Sequence, residues 1–387
     1  MKIVYFFRSL AIWGGIERLI VDKANYFSGL ADYDVSILTA DQGTHPIPYS
    51  ISPAVHVEDL GIGLHRRYLY KGLQRLWIGW RLQQLLVRRL RSRIEQLRPD
   101  IVVTVATDYV EYAINAIGNR ATVIVESHSI FQRTFGQRQH LTCYHDWIRR
   151  RSLSAANAIV ALTEADAAEW RLHYPMVWCI PNIVNFNPTT RKGSHATRRV
   201  IFVGRFDAQK RPELAISIWQ RVQPQHPDWE LHIYGEGEHQ AAVTETAGRA
   251  RGVVLHKSTA SIFDAYCDCA FLIITSLYEP FGLVIPEAMS CGLPVVAFDC
   301  PYGPRDIITD GVDGFLVTEG NEQDFADRMT QLMDDDRLCN TMGTAAIQSS
   351  LRYAASQIMP QWQQLFNTLT SLPNIARHHS DKQGQHQ

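Results

Sequence analysis

Three short apolar runs, each followed at once by a turn and a helical pattern, limit the folds open to this chain. They are Lys2 to Phe7, Val200 to Val203 and Ala270 to Thr275. Apolar runs of this length are typical of strands buried on both faces of a parallel sheet. Open parallel sheets bind ligands beyond the carboxyl ends of their strands. The turns after the three runs are therefore expected to carry functional residues.

Two glutamates follow the third run. Glu279 leaves the end of the expected strand, and seven residues separate it from Glu287. Gly282 allows the backbone of the turn to approach a ligand, and Pro286 suits the first position of a helix that runs to Cys291. The exposed N–H groups of such a helix suit phosphate, so we expect Glu287 to bind a neutral hydroxyl, such as a ribose diol. The alternative is that both acids are solvated surface charges.

The turns after the other two runs also suit phosphate. After Gly204 come Arg205 and Lys210, two cations that are placed to clamp a diphosphate, although cations also make ordinary surface loops. After the first run, Gly14 and Gly15 precede a helical pattern and could bring bare backbone to a phosphate. A glycine turn without a ligand is the commoner case, and the absence of G-x-G-x-x-G weakens a dinucleotide interpretation.

Taken in order, these segments resemble the retaining glycosyltransferases of family 4, which have the GT-B fold. Glu279 and Glu287 match the E-x7-E motif of that family. The other matches are Gly14-Gly15, Gly204-Arg205 with Lys210, Tyr234 to Gly237, Gly303 to Ile308 and Asp310 to Gly314. The resemblance spans nearly the whole chain. It implies an α/β fold of two Rossmann-like β/α/β domains that face each other across a cleft, with a C-terminal helix crossing back to the N-terminal domain.

The resemblance also implies roles for single residues. In the family, the residues that match Arg205 and Lys210 bind the diphosphate of the donor, and the glutamate that matches Glu287 binds the nucleotide ribose. The glutamate that matches Glu279 lies near the transferred sugar. Further contacts to the donor are implied for Gly14, Gly15, Gly282, Leu283 and Val284. The glycine pair would also lie on the acceptor side.

A histidine completes the implied catalytic set. His128 follows the apolar stretch from Val123 and resembles the family histidine that faces the sugar. With it, the catalytic residues implied by the resemblance are Glu279, His128, Arg205 and Lys210. A structural role is the alternative, because a lone histidine at a strand end is more often structural.

The implied reaction is transfer of a hexose or N-acetylhexosamine, with retention of configuration, from a nucleotide sugar to a growing polysaccharide or lipid-linked oligosaccharide. A UDP-sugar is the expected donor. The two cations and the helix N-terminus would stabilise the departing diphosphate without a metal ion or other cofactor. No compact Asp-x-Asp pair stands in the expected place, and Asp334 to Asp336 is interpreted as a solvated helix end. The resemblance disfavours Glu279 as a covalent nucleophile of the glycosidase type.

Other classes of protein remain as alternatives. A catalytically silent GT-B subunit that binds a partner glycosyltransferase or a lipid carrier would be expected to have lost some of the four charged residues of the site. A nucleotide-sugar epimerase shares the broad fold but does not match the E-x7-E segment well. A phosphorylase would need a much longer chain and a pyridoxal phosphate lysine.

The chain length and a stretch rich in proline and asparagine predict the domain boundaries. A chain of 387 residues with 46% hydrophobic residues suits two domains of ordinary size. Prolines and asparagines from Pro181 to Pro188 indicate a linker. The expected divisions are an acceptor-side domain at 1–187, a donor domain at 188–350, a crossing helix at 351–372 and a disordered tail at 373–387.

Basic and aromatic residues are concentrated in the segment 66–98. It contains ten Lys or Arg and a single acid, Glu95, interleaved with tyrosines, leucines and tryptophans. This composition favours contact with an anionic membrane surface. The alternative is an ordinary helix pair with Trp77 and Leu85 in the core. No nucleic-acid-binding module accompanies the basic segment, so nucleic acid is not an expected partner.

The remaining features predict a cytoplasmic protein, peripheral on the inner face of the cytoplasmic membrane. Seven cysteines without paired C-x2-C spacing indicate buried, reduced thiols. The first apolar run is interrupted at Arg8 and lacks a cleavage pattern, and no apolar stretch reaches eighteen residues.

Overall fold

The structure is a computed structural model that describes residues 1–12, 14–106, 109–135, 142–184, 186, 192–259 and 261–371. These residues form two compact units. The first unit comprises Met1–Ala161, Ala167–Ile180 and residues from Met359 onward, and the second comprises Leu162–Asp166 and Pro181–Ile358. Each unit contains one parallel sheet, so the chain is an α/β protein with two separate cores.

The first unit is built on a seven-stranded sheet. Its strands are β1 (Lys2–Phe7), β2 (Asp34–Thr39), β3 (Val55–Asp59), β4 (Ile101–Val105), β5 (Thr122–Glu126), β6 (Ala158–Ala161) and β7 (Val177–Cys179). All pairs are parallel, in the order β3-β2-β1-β4-β5-β6-β7. The order therefore reverses between β1 and β4, which opens a crevice at their carboxyl ends.

Helices cover this sheet. They are α1 (Gly15–Ser28), α2 (Gly72–Leu97), α3 (Val110–Ile117), α4 (Phe131–Thr134), α5 (Thr142–Leu153) and α6 (Glu164–Arg171). Because β4 and β5 are covered on both sides, every residue in them is buried, as expected for continuous apolar strands. The second half of α2 enters the core through Leu86, Leu90 and Ile94.

The second unit is built on a six-stranded sheet. Its strands are β8 (Arg199–Val203), β9 (Glu230–Tyr234), β10 (Val253–His256), β11 (Phe271–Ile274), β12 (Val295–Phe298) and β13 (Gly314–Val317). They too are parallel throughout, in the order β10-β9-β8-β11-β12-β13. The reversal here lies between β8 and β11, the two strands that end beside the predicted cations and Glu279.

The remaining helices follow the strands of the second sheet. They are α7 (Pro212–Val222), α8 (Gln240–Gly248), α9 (Ile262–Cys267), α10 (Val284–Ser290), α11 (Gly303–Ile307), α12 (Glu322–Asp334), α13 (Asp336–Ser350) and α14 (Ala355–Ser371). The core of this unit contains Trp219, Phe271 and Phe298. The cysteines Cys267, Cys269, Cys291, Cys300 and Cys339 are all buried, and none of these five is in a disulfide.

The two parallel sheets confirm the predicted Rossmann-like architecture. The three apolar runs are strands β1, β8 and β11, each within one residue of its expected ends. Asp335 does more than end a helix, because its carboxylate accepts the Leu338 N–H at 2.9 Å and caps α13.

The boundaries of the units differ from the divisions read from sequence. The chain leaves the first unit at Ile180, before the expected residue 187, and the second unit continues to Ile358 rather than 350. Residues 162–166 also belong to the second unit, because Leu162 lies in its core and the Glu164 N–H donates to Asp306 at 2.9 Å. Asn185, Asn187 and Pro188 of the expected linker and the tail 373–387 lie outside the described residues.

The last helix passes from the second unit to the first. A short 3₁₀ turn occupies Leu351–Tyr353, so α14 starts at Ala355 rather than 351. Pro360 lies inside α14 close to the change of unit, and its missing N–H removes one helical hydrogen bond there. Beyond it, Phe366 packs on Phe27 of α1, with ring centroids 5.2 Å apart.

The contact between α14 and α1 is expected to stabilise the first unit. Phe366→Ala removes a fully buried ring, and it should lower the free energy of unfolding by about 3–5 kcal/mol. Urea unfolding monitored by circular dichroism measures the loss. Gln364→Ala, at an exposed position of the same helix, should change the midpoint little, and equal midpoints for both variants would contradict the packing.

Candidate active site

The predicted donor residues of the second unit come together at the carboxyl ends of β8 and β11. The loop 204–211 leaves β8, and the segment 275–282 leaves β11. Two sets of hydrogen bonds join them: the Leu277 N–H donates to the Gln209 carbonyl at 2.8 Å, and the Thr275 hydroxyl lies 3.0 Å from the carbonyls of Lys210 and Arg211. These bonds hold the cationic loop against the strand end that carries Glu279.

At the centre of this site lies a buried ion pair. Lys210 Nζ is 2.5 Å from Glu279 Oε1, and the Ser276 hydroxyl donates to the same oxygen at 2.6 Å. The side chains of Lys210 and Glu279 are only 15% and 3% exposed. No described residue binds the second carboxylate oxygen, Oε2, of Glu279. Glu279 is therefore held in one orientation with one oxygen available to a ligand.

The backbone around Glu279 is equally constrained. Its N–H donates to the Pro301 carbonyl at 2.7 Å, and its carbonyl accepts the N–H groups of Tyr302 and Gly303 at 2.8 Å each. Glycine is required at 303, because a Cβ there would lie 1.9 Å from the Phe281 carbonyl oxygen. The segment Gly303 to Ile308 is matched in the family resemblance, and its first residue holds the Glu279 backbone.

Arg205 behaves differently from Lys210. Its side chain is 71% exposed, and its guanidinium lies 3.2 Å from Asp207 and 3.3 Å from Gln209. Asp207 also accepts the N–H groups of Gln209 and Lys210, at 3.0 and 2.9 Å, which shapes the turn. The structure therefore places one cation within the ion pair and the other at the surface of the same loop.

The helix that carries Glu287 starts earlier than predicted. Helix α10 begins at Val284 with Leu283 as N-cap, so Pro286 is its third residue rather than its first. Proline is tolerated there because the first four N–H groups of a helix have no partner within the helix. Glu287 still lies in the first turn and is buried. Gly282, with φ of +87°, provides the left-handed turn before this helix.

The Glu17 side chain covers the Gly14-Gly15 turn of the first unit. The Gly14 N–H donates to the Tyr49 hydroxyl oxygen at 2.7 Å, and Gly15 is the first residue of α1. A Cβ on Gly14 would lie 2.1 Å from a carboxylate oxygen of Glu17. Burial raises the pKa of Glu17, against an opposing hydrogen bond from its own backbone. A phosphate approaching this turn would meet the Glu17 side chain.

His128 belongs to a second buried cluster, also in the first unit. Glu126 ends β5, and its Oε2 contacts both Lys23 Nζ and His128 Nε2, the latter at 3.0 Å. Burial alone would raise the pKa of Glu126, but the Lys23 charge and the His128 hydrogen bond outweigh it and lower that pKa to about 2. The Lys23 ammonium lies 4.6 Å from the centre of the Trp362 ring. His128 is thus fixed from one side by a carboxylate.

Comparison with known proteins follows the two units. Residues 13–187 match the family described as Glycosyltransferase Family 4, and residues 197–335 match Glycosyl transferases group 1. The solved structure of a Staphylococcus aureus TarM variant in complex with Fondaparinux, alpha-GlcNAc-glycerol and UDP has a TM-score of 0.77 and 17% identity, over 95% of this chain and 99% of that one. The chain therefore carries a Glycosyltransferase Family 4 domain and a Glycosyl transferases group 1 domain, and it has the GT-B fold.

Two curated relatives are similar to parts of this chain. An exopolysaccharide phosphotransferase of Streptomyces coelicolor is 26% identical over 73% of this chain, and a poly(ribitol-phosphate) alpha-N-acetylglucosaminyltransferase of S. aureus is 31% identical over 55%. The chain covers only 30% and 44% of the length of these two relatives. The similarity therefore extends over part of each relative.

Several residues of the site escaped the sequence analysis. Thr275, Ser276 and Asp207 hold the loops that follow β8 and β11, and Lys23 and Glu126 contact or surround His128. The signal for the first group was the Thr-Ser pair directly after an apolar strand. For Lys23 the signal was a charge among the apolar residues Leu19, Ile20 and Ala24 on the buried side of α1.

The hydrogen bonds from the Thr275 hydroxyl are expected to keep the loop 204–211 ordered. Thr275→Val keeps the shape of the side chain but leaves the carbonyls of Lys210 and Arg211 without their donor. We expect a loss of about 1–2 kcal/mol in unfolding free energy and faster amide exchange in 204–211. Thr318→Val is the matched control, because Thr318 directly follows β13 but is exposed. Unchanged exchange in the Thr275 variant would contradict the role.

The lowered pKa of Glu126 predicts acid sensitivity. The ionised carboxylate stabilises the folded chain fully above its ordinary pKa of 4.5, and this contribution is lost as the pH falls towards about 2. The contribution is on the order of 3 kcal/mol. Urea unfolding between pH 6 and pH 2 should therefore show a smaller pH dependence in the paired variant Lys23→Met with Glu126→Gln.

The matched control for acid sensitivity is Glu95→Gln, which removes a surface carboxylate paired with Arg120. Its pH dependence should follow that of the unmodified chain. If the paired variant also follows the unmodified chain, Glu126 does not have the lowered pKa.

Proposed function

We propose that this glycosyltransferase transfers a hexose or N-acetylhexosamine, with retention, from a UDP-sugar to a growing polysaccharide or lipid-linked oligosaccharide. The observation that carries the proposal is the Lys210–Glu279 ion pair with Ser276, at the point where the strand order of the second sheet reverses. This is where an open parallel sheet binds its ligand. The pair provides a cation for the leaving group beside a carboxylate for the sugar.

The charge that develops during the reaction assigns a role to each of these residues. Cleavage of the anomeric carbon–oxygen bond leaves negative charge on the nucleoside diphosphate, which Lys210 and Arg205 stabilise. Lys210 has three N–H donors and uses one on Glu279, so it can bind a phosphate oxygen while it remains paired. Glu287 binds the hydroxyls of the ribose. With two cations at the diphosphate, the reaction needs no metal ion.

Retention is supported by the environment of Glu279. Its Oε1 already accepts hydrogen bonds from Lys210 and Ser276, and such donors stabilise a carboxylate and weaken it as a nucleophile. We therefore assign Glu279 to binding of sugar hydroxyls through Oε2. The acceptor hydroxyl then attacks from the side of the leaving phosphate, which takes its proton. The alpha linkage in the names of the TarM ligand and the ribitol-phosphate enzyme agrees with retention from an α-linked donor.

The activity test offers UDP-, GDP- and ADP-sugars to the purified chain with EDTA or magnesium, with simple glycosides and lipid-linked saccharides as acceptors. We expect UDP-sugar turnover in EDTA and an α-linked product by NMR. Turnover of only GDP- or ADP-sugars would refute the donor assignment. Binding of UDP without transfer or hydrolysis would favour the silent-subunit alternative.

Variants of the donor site should separate binding from catalysis. Arg205→Ala should lower kcat by about 100-fold, because it removes a charge that stabilises the leaving group. Glu287→Gln should weaken UDP binding about 10-fold. Steady-state kinetics and calorimetric UDP titration measure the two effects. Arg337→Ala, an exposed arginine on α13, is the control, and full activity of the Arg205 and Glu287 variants would refute the assignments.

We also propose that the first half of α2 and the turn before it lie on an anionic membrane surface. Leu73 is 84% exposed, Leu76 69% and Trp77 55%. The alternative of a core position for Trp77 is therefore wrong, whereas Leu85 does pack partly against the core. No helix in the described part of the chain has the length and apolarity to span a bilayer. Contact would therefore be with the surface.

The positive charge of this surface also supports contact with an anionic membrane. Arg66, Arg81, Arg88 and Arg91 line a groove of about 650 Å³ together with Tyr70 and Trp80. The single acid of the segment, Glu95, lies at the far end of α2 and pairs with Arg120 at 2.7 Å. A cationic surface with protruding apolar side chains is complementary to anionic headgroups above an acyl layer.

Vesicle binding tests the membrane proposal. Arg75→Gln with Arg81→Gln should weaken binding to vesicles containing phosphatidylglycerol about 30-fold, since each cation near the surface contributes about 1 kcal/mol. Co-sedimentation at low and high salt measures the loss. Arg249→Gln with Arg337→Gln removes two exposed cations of the second unit as a control. Equal binding by all three proteins would refute the proposal.

A further inference from the structure

The buried pair Lys23–Glu126 has no part in the donor chemistry assigned above. The side chains of Lys23 and Glu126 are 3% and 1% exposed, so both charges are removed from water. A buried pair of this kind is weak evidence for stability, because desolvation of the two ions opposes their attraction. The atoms that the pair contacts indicate another role.

The pair determines which nitrogen of His128 carries a proton. An ionised carboxylate only accepts hydrogen bonds, and Glu126 Oε2 lies 3.0 Å from His128 Nε2. Nε2 therefore carries the hydrogen, and in the neutral ring Nδ1 holds a lone pair. Among the described residues, none makes a hydrogen bond to Nδ1. Nδ1 is thus the ring nitrogen available to a substrate.

Two further contacts keep this arrangement fixed. Lys23 balances the charge of Glu126, so the carboxylate remains ionised without a proton from the histidine. Trp362 of α14 covers the Lys23 ammonium. The backbone beside His128 is also held, because the Ser127 N–H donates to Val160 at 2.8 Å and its hydroxyl donates to the Ser129 carbonyl at 2.7 Å. Both the position and the tautomer of the ring are set from within the first unit.

We propose that Lys23 and Glu126 are positioning residues that hold His128 as its Nε2–H tautomer, so that Nδ1 accepts a hydrogen bond from a substrate hydroxyl. The substrate contact rests on the proposed function, whereas the tautomer rests on the Glu126 contact alone. The proposal also gives the last helix a part in the site, through Trp362 and Lys23.

A double-mutant cycle separates positioning from a purely structural role. The paired variant Lys23→Met with Glu126→Gln removes both charges at once and leaves neither ion alone in the core. We expect its kcat to fall 10- to 100-fold with the donor KM changed less than 3-fold. In the His128→Ala background, the same pair of substitutions should cost less than 2-fold more. Equal losses in both backgrounds would overturn the proposal.

The matched control is another ion pair of the same unit. Arg149 and Glu111 are partly buried and 2.5 Å apart, and neither contacts His128. Arg149→Met with Glu111→Gln should leave kcat within 2-fold of the unmodified chain. A loss equal to that of the Lys23 and Glu126 pair would indicate general damage to the first unit and overturn the proposal.

Nitrogen NMR measures the tautomer without any substrate. In ¹⁵N-histidine-labelled protein, the His128 signals, assigned by their absence in His128→Ala, should show a protonated Nε2 and an unprotonated Nδ1. The paired variant should show a mixture of tautomers. An Nδ1–H tautomer in the unmodified chain, or identical spectra for both proteins, would overturn the proposal. If no UDP-sugar is transferred but the tautomer changes as expected, the proposed function fails and the positioning role stands.

Discussion

The arrangement of both units depends on burying a lysine–glutamate pair at the carboxyl ends of parallel strands. Lys23 and Glu126 meet in the first unit, and Lys210 and Glu279 meet in the second. Taking such charges out of water costs several kcal/mol per ion, which the pair recovers only with good geometry and additional hydrogen bonds. The hydrogen bond from Ser276 to the Glu279 carboxylate helps to meet this requirement, and the 301–303 backbone fixes the main chain of Glu279. Much of the local structure near each pair exists to hold it.

The two cations of the second unit show what this constraint does for chemistry. In the proposed reaction, Lys210 is held by Glu279, so its ammonium is already placed when the donor binds, and no reorganisation is needed as charge develops. In the same proposal, Arg205 is exposed on the loop and loses side-chain freedom when it closes on a phosphate. In this proposal the buried Lys210 is preorganised, whereas the exposed Arg205 can move to contact a phosphate. Replacing one with the other would not preserve both properties.

Sequence predicted the features that depend on near neighbours. Strands β1, β8 and β11 follow from apolar runs. The family resemblance placed Lys210 and Glu279 at one donor site, but their ion pair was not predicted, because they lie 69 positions apart. The start of α10 was missed because proline is tolerated throughout the first turn, so Pro286 did not mark the first residue. The Lys23–Glu126 pair was missed for another reason. Its members lie 103 positions apart, and no local pattern links a lysine on α1 to a strand that pairs two places further along the sheet.

The contacts of α14 with α1 explain why the first unit includes residues from the end of the chain. Lys23 is a charge on the buried side of α1, where water is excluded, and part of its solvation is replaced by the Trp362 ring of α14. That ring, together with Phe366 on Phe27, covers a surface that α1 cannot bury against the sheet alone. The packing of α1 requires the last helix, and through Lys23 and Glu126 that helix supports His128.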